Sequence, residues 1–591
     1  MSSASQPNVK PGTQPLPPIS GKAAAPPIQT TSADDANAKL RRSVYAVLIT
    51  LSVGAMVGRV LAVNSVDLIR AEQRLKSDAV DQEKQKLQGS SQAVTDRELE
   101  DLTRGDWQKQ RPFLSANDRS RWLTVRALVE QGTYAIDRYV ADPKTNPNWD
   151  TIDMVMHPDA AGAPHLYSSK PPLLATLYAG PYWVIYKVSG ALRETPITLG
   201  THPYEIDRAM LLLVNVLPLV VYFWVLAKIL ERYGRTDWGR IFVMAAAAFG
   251  TFITTFGVVL NNHLPGAVSA VIVLYAALRI WYDGERRLRY FLLAGFFAAF
   301  SVACELPALS FFALVLVALL WKAPWQALVA FVPAALVVIA PYFATNWLAH
   351  HSFVPPYGHR QHDESAAVTS DATKDSGNVA NTADVNADSH PQTAPAGDPQ
   401  HYEGAVALDS GQKVTMRGNL NNWYDYEFTR TDGKLVQSYW RHPEGIDIGQ
   451  KSVGKYALNV LVGHHGIFSL TPLWLLVIPG LILLVAGKEY RLPALAALVV
   501  LISTVCVAFF ILLPMDERNY GGMTSGFRWV FWLAPLWLVA ILPTADKLSH
   551  WLTGRLLSYL LLAMSVLSAT YPVWNPWVQP WLWNFWTYLG W

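Results

Sequence analysis

Apolar stretches of about 20 residues, the length needed to cross a bilayer as a helix, recur along the chain. They fall near 44–63, 209–231, 241–260, 264–281, 290–305, 307–321, 326–347, 467–486, 493–513, 527–543 and 554–571. The pattern predicts an all-α polytopic membrane protein with about 11 transmembrane helices. A further apolar run follows Lys170 and ends near Leu192; it spans, re-enters or lies in the interface. Polar intervals divide the rest. Residues 1–40 read as a disordered tail rich in Pro, Ala, Ser and Thr, and 64–208 as a first outer loop. Residues 209–347 and 467–571 are two membrane blocks, 348–466 is a large, partly disordered outer loop, and 572–591 is a Trp-rich interfacial tail.

Within the first outer loop, Leu68 to Leu102 is charged and helical in pattern, a spacer or packing helix. Within the second, about 363–400 is rich in Ala, Asp, Ser, Thr and Asn and reads as disordered. Beyond it, Trp423–Arg430 and Lys434–Trp440 flank Thr431-Asp432-Gly433, which predicts a β-hairpin in a small outer cap.

Composition supports the membrane reading: of 591 residues, 51% are hydrophobic and 16% charged. That is more apolar sequence than a soluble fold of this size hides. A net charge of +3 without a basic, aromatic-studded stripe argues against nucleic acid as a partner. Cys304 and Cys506 lie in apolar segments and read as packed thiols. Arg41-Arg42 before the first span, with no small-residue cleavage site after it, predicts a signal anchor.

Basic residues give the orientation. With Arg41-Arg42 inside, the loops Lys228–Arg240, Arg279–Arg289, Lys322, Lys488–Arg491 and Lys547–Arg555 all fall inside only if the run after Lys170 makes no net crossing. The turns at Asn261-Asn262-His263, at Glu305 and at Pro514–Phe527 then share the outer face with both long loops.

Two motifs on that face carry candidate chemistry. Asn117-Asp118-Arg119-Ser120-Arg121-Trp122 opens a helix with a carboxylate, which either serves the helix dipole or acts as a base. Lys170-Pro171-Pro172-Leu173 heads the apolar run, where the lysine either snorkels to lipid headgroups or binds a phosphate. Together these motifs resemble the GT-C class of integral-membrane glycosyltransferases, in particular the protein O-mannosyltransferases and lipid A aminoarabinose transferases. Those enzymes carry Asp-Glu-x-Arg-Tyr in their first outer loop and Lys-Pro-Pro-Leu downstream.

The resemblance implies transfer of a sugar, with inversion, from a polyprenyl-phosphate donor to a lipid, protein or glycan acceptor on the periplasmic face of the inner membrane. It assigns Asp118 as the base and Lys170 to the donor phosphate. Here Arg119 replaces the family glutamate and Trp122 the tyrosine. An acidic turn of the Leu-Pro-Asp-Ala-Leu kind is replaced by Asn261-Asn262-His263-Leu264-Pro265, and a Lys-Gly-Pro pattern by Glu305-Leu306-Pro307.

Further candidates for the substrate site are Arg121, Asn262, His263, Glu305, His464 and His465, with Arg528 as a second phosphate ligand near Asn519-Tyr520-Gly521-Gly522. Competing readings are an internal ion pair for Glu305, a satisfied helix-end histidine for His263 and a headgroup anchor for Arg528. His464 and His465 with His350, His351, His359 and His362 could make a zinc site, but they lack regular ligand spacing, so no cofactor is implied and a divalent metal stays open. The absence of a Gly-rich phosphate loop argues against a nucleotide-sugar donor. The rival class is a transporter or flippase for a lipid-linked glycan, but the internal symmetry common in transporters is not visible.

Overall fold

The computed structural model describes residues 32–62, 113–146, 149–361, 400–409, 411–572 and 575–590. The expectations for residues 1–31, for Leu68–Leu102, for 363–399 and for His362, Trp574 and Trp591 lie outside the described residues. Of two units, Met1–Val44 contributes the start of helix Ser32–Ala62 and Tyr45–Trp591 holds everything else. The expected tail therefore ends earlier than residue 40, because Ser32-Ala33-Asp34-Asp35-Ala36 already starts a helix.

Among the described residues seven helices are long and apolar enough to cross a membrane: Ala36–Ala62, Pro203–Tyr233, His263–Trp281, Pro324–His350, Pro493–Ile511, Arg528–Leu548 and Leu552–Thr570. The chain is a multi-pass membrane protein. Three more expected spans appear as the shorter apolar helices Leu288–Cys304, Leu306–Lys322 and Pro472–Ala486. The expected span 241–260 is broken: helix Asp237–Phe249 stops at Gly250, and a 3-10 turn at Thr255–Val258 follows. Threonines in the break bond to backbone rather than continuing the helix, Thr251 Oγ1 to Ala247 O at 3.3 Å and Thr255 Oγ1 to Ala569 O at 2.7 Å. The run after Lys170 is a helix, Pro172–Leu192, with Pro171-Pro172 at its start, where no backbone N–H is needed.

His263–Trp281 and Arg528–Leu548 are the most deeply buried spans, and the other helices pack around them. Small residues set the closest crossings. A Cβ placed on Gly295 of Leu288–Cys304 would stand 2.1 Å from the carbonyl oxygen of Phe331, where the π-helical turn Ala327–Phe331 passes. Because the obstacle is backbone, Gly295→Ala should cost about 1–3 kcal/mol. A lowered Tm in detergent, with Gly180→Ala on an exposed helix face as the mutational control, checks it.

Outside the bundle sit two small antiparallel sheets. Met154–Pro158 pairs with Pro164–Ser168, and His401–Ala407, Lys413–Asn419, Tyr426–Thr429 and Leu435–Gln437 form a four-stranded sheet in that order. The expected Asp-Gly hairpin is its last pair, with Thr429 opposite Leu435 and Gly433 at φ 85°. These sheets share one core with helix Ala116–Glu130, built on Trp122, Tyr139, Met156, Met416 and Phe428.

Loop residues sort to the two ends of the helices. At one end Asp546 accepts hydrogen bonds from Arg235 N and Thr236 N, at 2.9 and 2.8 Å, and also pairs with Tyr490. There Arg232 also pairs with Asp283 at 2.9 Å. These are the basic loops assigned above to a common face. The turns bearing Asn262, Glu305 and Arg528 meet at the other end.

Candidate active site

The broken helix creates the site's floor. Asn215, in the π-helical turn Leu212–Val216, donates from Nδ2 to Gly257 O and Val259 O, both at 2.9 Å. Asn261 Nδ2 donates to Phe256 O and Val259 O at 2.8 Å, while its Oδ1 accepts from Leu264 N at 2.9 Å. Unwound backbone at this depth requires such partners. The segment so braced aims the Leu260 N–H at Asp118 Oδ1, 3.0 Å away.

Asp118 lies in the first turn of Ala116–Glu130, but the cap is Ser115, whose Oγ accepts from Asp118 N at 3.1 Å. The Asp118 carboxyl is thus free to face Leu260, and it is only 3% exposed. Burial pushes its pKa up to about 7 against the opposing pull of the Leu260 N–H and the Arg121 guanidinium.

One helical turn on, Arg121 Nη2 donates to Asn262 Oδ1 at 2.7 Å. Asn262 Nδ2 donates to Glu305 Oε1 at 2.9 Å, and the same oxygen meets His263 Nδ1 at 2.5 Å. Arg528 Nη1 lies 2.9 Å from His263 Nε2. Arginine can only donate, so Nε2 accepts and the imidazole proton sits on Nδ1, directed at Glu305. The result is one continuous network, Arg121–Asn262–Glu305–His263–Arg528, built from one helix and three separate turns. Glu305 is held by two neutral donors, Asn262 and His263, and through them it is linked to both guanidiniums.

Arg528 is further set by Nε donating to Gly521 O at 3.0 Å and by the Trp577 ring 5.1 Å from its guanidinium. Tyr520, Gly521 and Gly522 all have positive φ, 60°, 91° and 76°. A Cβ on Gly521 would fall 3.0 Å from Arg528 Nε, so the glycine permits the close approach of this guanidinium to the backbone. Lys170, between strand Pro164–Ser168 and helix Pro172–Leu192, donates from Nζ to Asp153 Oδ1 at 2.8 Å. Burial lowers its pKa, and the Asp153 carboxylate opposes that. Both Arg121 and Arg528 act electrostatically on Lys170, so three cations share one locality.

Asp118, Arg121, Lys170, Asn262, His263, Glu305 and Arg528 are therefore brought together. His464 and His465 are not. Their rings pack with Tyr520 and with Trp583 and Trp586 of helix Trp581–Tyr588, His464 at 4.5 Å from Trp583. Burial among these rings lowers the pKa of His464 to about 4. They are a packing element of the Trp-rich tail, and the correction has a simple cause: adjacency to a span end places a residue at a membrane face, not beside a particular turn.

The remaining histidines lie elsewhere: His350 Nδ1 is 3.0 Å from His157 Nε2, and His157, His350 and His359 all pack on Trp423, His359 at 3.6 Å. Among the described residues no group of three or more His, Cys, Asp or Glu side chains is placed to hold a metal ion.

Three residues escaped the sequence reading. Asp153 is one acid among several in a polar loop, and only the fold sets it against Lys170. Asn215 sits inside an apolar span, where its polarity was an available signal. Asn261 was overshadowed by its neighbours Asn262 and His263.

No protein-family model matches the chain, and no curated protein matches it. Among solved structures, two are similar. One is the oligosaccharyltransferase of Archaeoglobus fulgidus in the apo form, with a TM-score of 0.32 and 11% identity over 78% of this chain and 52% of that one. The other is the archaeal oligosaccharyltransferase AglB from Archaeoglobus fulgidus in complex with an inhibitory peptide and a dolichol-phosphate, with a TM-score of 0.30 and 13% identity over 78% and 51%. The likeness is to an archaeal oligosaccharyltransferase. The chain spans about half the length of these relatives.

Proposed function

We propose that the protein is a membrane glycosyltransferase of the GT-C type that moves a sugar from a polyprenyl-phosphate donor to an acceptor hydroxyl or amine. The observation that carries the reading is the meeting of a buried carboxylate of raised pKa, Asp118, with the cations Arg121, Lys170 and Arg528 at one end of the bundle. The nucleophile attacks the anomeric carbon, its bond to the phosphate oxygen breaks, and the electron pair leaves with polyprenyl phosphate. The acceptor's proton passes to Asp118, a group whose pKa near 7 suits a base at neutral pH. Lys170 and Arg528, with Arg121, offset the charge that develops on the departing phosphate. Phe527 and Phe531, on either side of Arg528, line a small apolar pocket with Trp474 and Trp537.

On this reading the cluster faces the periplasm of the inner membrane, and 11 crossings are kept. The three shorter apolar helices and the broken segment from Asp237 to Val258 complete the count. No metal is assigned, since the three cations serve the leaving group. The test is release of polyprenyl phosphate by the purified protein from a panel of polyprenyl-phosphate sugars, with and without EDTA. Turnover that persists in EDTA is expected. No release from any donor and acceptor pair would rule the reading out.

A further inference from the structure

The three cations are not held alike. Arg121 donates to amide oxygens, those of Asn117 and Asn262. Arg528 donates to a carbonyl and an imidazole nitrogen. Lys170 alone donates to a carboxylate, Asp153, at 2.8 Å. A phosphate can therefore approach the two guanidiniums without evicting an anion, whereas at the ammonium it meets one.

Asp153 is fixed in place by its backbone. Its carbonyl accepts from Ser120 Oγ at 2.5 Å and from Ser169 N at 3.1 Å, and its N–H donates to Thr151 Oγ1 at 3.1 Å. Ser120 also lies 2.6 Å from Ser168 Oγ, so the helix that carries Asp118 and the strand that leads to Lys170 both grip this residue. Only the carboxylate itself can move, by rotation about its side-chain bonds. A second carboxylate, Asp447, is held nearby by Asn519 Nδ2 and Tyr439 OH, both at 3.1 Å, and acts electrostatically with Asp153 and Arg528. Two carboxylates thus stand among the three cations of the site.

We propose that Asp153 is the resident counter-ion of Lys170, displaced by the donor phosphate and returning to expel the product. The inference rests on the phosphate-transfer reading above. A donor phosphodiester carries one negative charge, whereas the released polyprenyl phosphate, a monoester with a second pKa near 6, carries between about 1.5 and 2 at neutral pH. A carboxylate that competes for the shared ammonium disfavours the product more than the donor. Asp153 thus keeps product inhibition low and sets donor affinity.

The test measures binding of polyprenyl monophosphate and of a polyprenyl-phosphate sugar to the full-length protein in detergent. Wild type, Asp153→Asn, Lys170→Ala and the double variant are compared. Asp153→Asn keeps the shape and an oxygen facing Lys170 but removes the charge. It should bind the monophosphate about tenfold tighter and the phosphodiester only about threefold tighter, with kcat lowered and a pre-steady-state burst as product release becomes slow. Without ligand its Tm should fall, and polyprenyl phosphate should raise it further than in wild type. In the Lys170→Ala background the Asp153 substitution should change binding much less than it does in wild type.

Weaker or unchanged monophosphate binding by Asp153→Asn, with wild type binding normally, overturns the counter-ion role and leaves the phosphate site intact. Failure of wild type and every variant to bind either lipid overturns the phosphate site as well. Should the amide variant misfold, Asp153→Ser removes the same charge from a side chain whose backbone bonds are unchanged, and the same outcomes apply.

Discussion

Asp118→Asn should lower sugar transfer by about 10²–10⁴-fold, the usual contribution of a positioned general base, yet leave the protein more stable than wild type at pH 8. The pairing of those two results is the informative part. An ordinary carboxylate releases its proton near pH 4, whereas burial holds that of Asp118 to about pH 7. The folded state therefore binds this proton more tightly than the unfolded state. Below pH 4 both states are protonated and the group is neutral in the balance. As pH rises from about 4 to 7 the unfolded chain ionises freely and the folded one does not, so stability is lost across that window and stays lost above it. The full penalty is on the order of 4 kcal/mol as an upper bound. Asparagine carries no such penalty and can still accept the Leu260 N–H.

The difference in Tm between Asp118→Asn and wild type should therefore be larger at pH 8 than at pH 5, and wild-type kcat/KM should rise to a plateau above about pH 7. Retained turnover would exclude Asp118 as the base. An equal loss of stability at both pH values would show that the carboxylate is a structural bond rather than a buried, reactive group.

Arg528→Lys should raise the KM for a polyprenyl-phosphate sugar by at least about tenfold and lower kcat as well. The guanidinium performs two bonds with two nitrogens, Nε to Gly521 O at 3.0 Å and Nη1 to His263 Nε2 at 2.9 Å, while its plane faces Trp577. One ammonium on a flexible stem cannot reproduce that fork. It would also release His263, whose Nδ1 proton is directed at Glu305, and so loosen the link to Asn262 and Arg121. Lys170→Ala should be the contrasting case, with weaker donor binding and this network unaltered. Separate determination of KM and kcat for both variants is the measurement. Arg528→Lys with wild-type constants would make the arginine a headgroup anchor.

Much of the site was legible in the chain because its residues announce themselves one at a time. Asp118 opens a helix, Lys170 precedes two prolines, and Asn262, His263, Glu305 and Arg528 each interrupt an apolar pattern at a span end, where polarity is costly. What joins them was not legible. The Asn262–Glu305 and His263–Arg528 bonds link turns separated by 43 and 265 positions, and nothing in either local pattern names its partner. His464 and His465 show the reverse error, for they too interrupt an apolar pattern at a span end, yet pack against Trp583 and Trp586. The break after Phe249 was missed for a related reason: Thr251 to Val259 is apolar enough to read as span, and the choice to unwind depends on Asn215 supplying partners from another helix.

The chain alone specifies a membrane protein, the ends of most of its helices and the kinds of groups gathered at one face. Those follow from hydrophobic periodicity, helix caps and the cost of charge in lipid, all of which act over a few turns. Which groups touch is a tertiary result. Ser120 and the strand before Lys170 hold Asp153 against the ammonium, Asn215 and Asn261 hold an unwound segment that aims Leu260 at Asp118, and Glu305 gathers two turns around a single oxygen. Each depends on long-range packing that fixes directions and distances to within a hydrogen bond, and local sequence does not encode those.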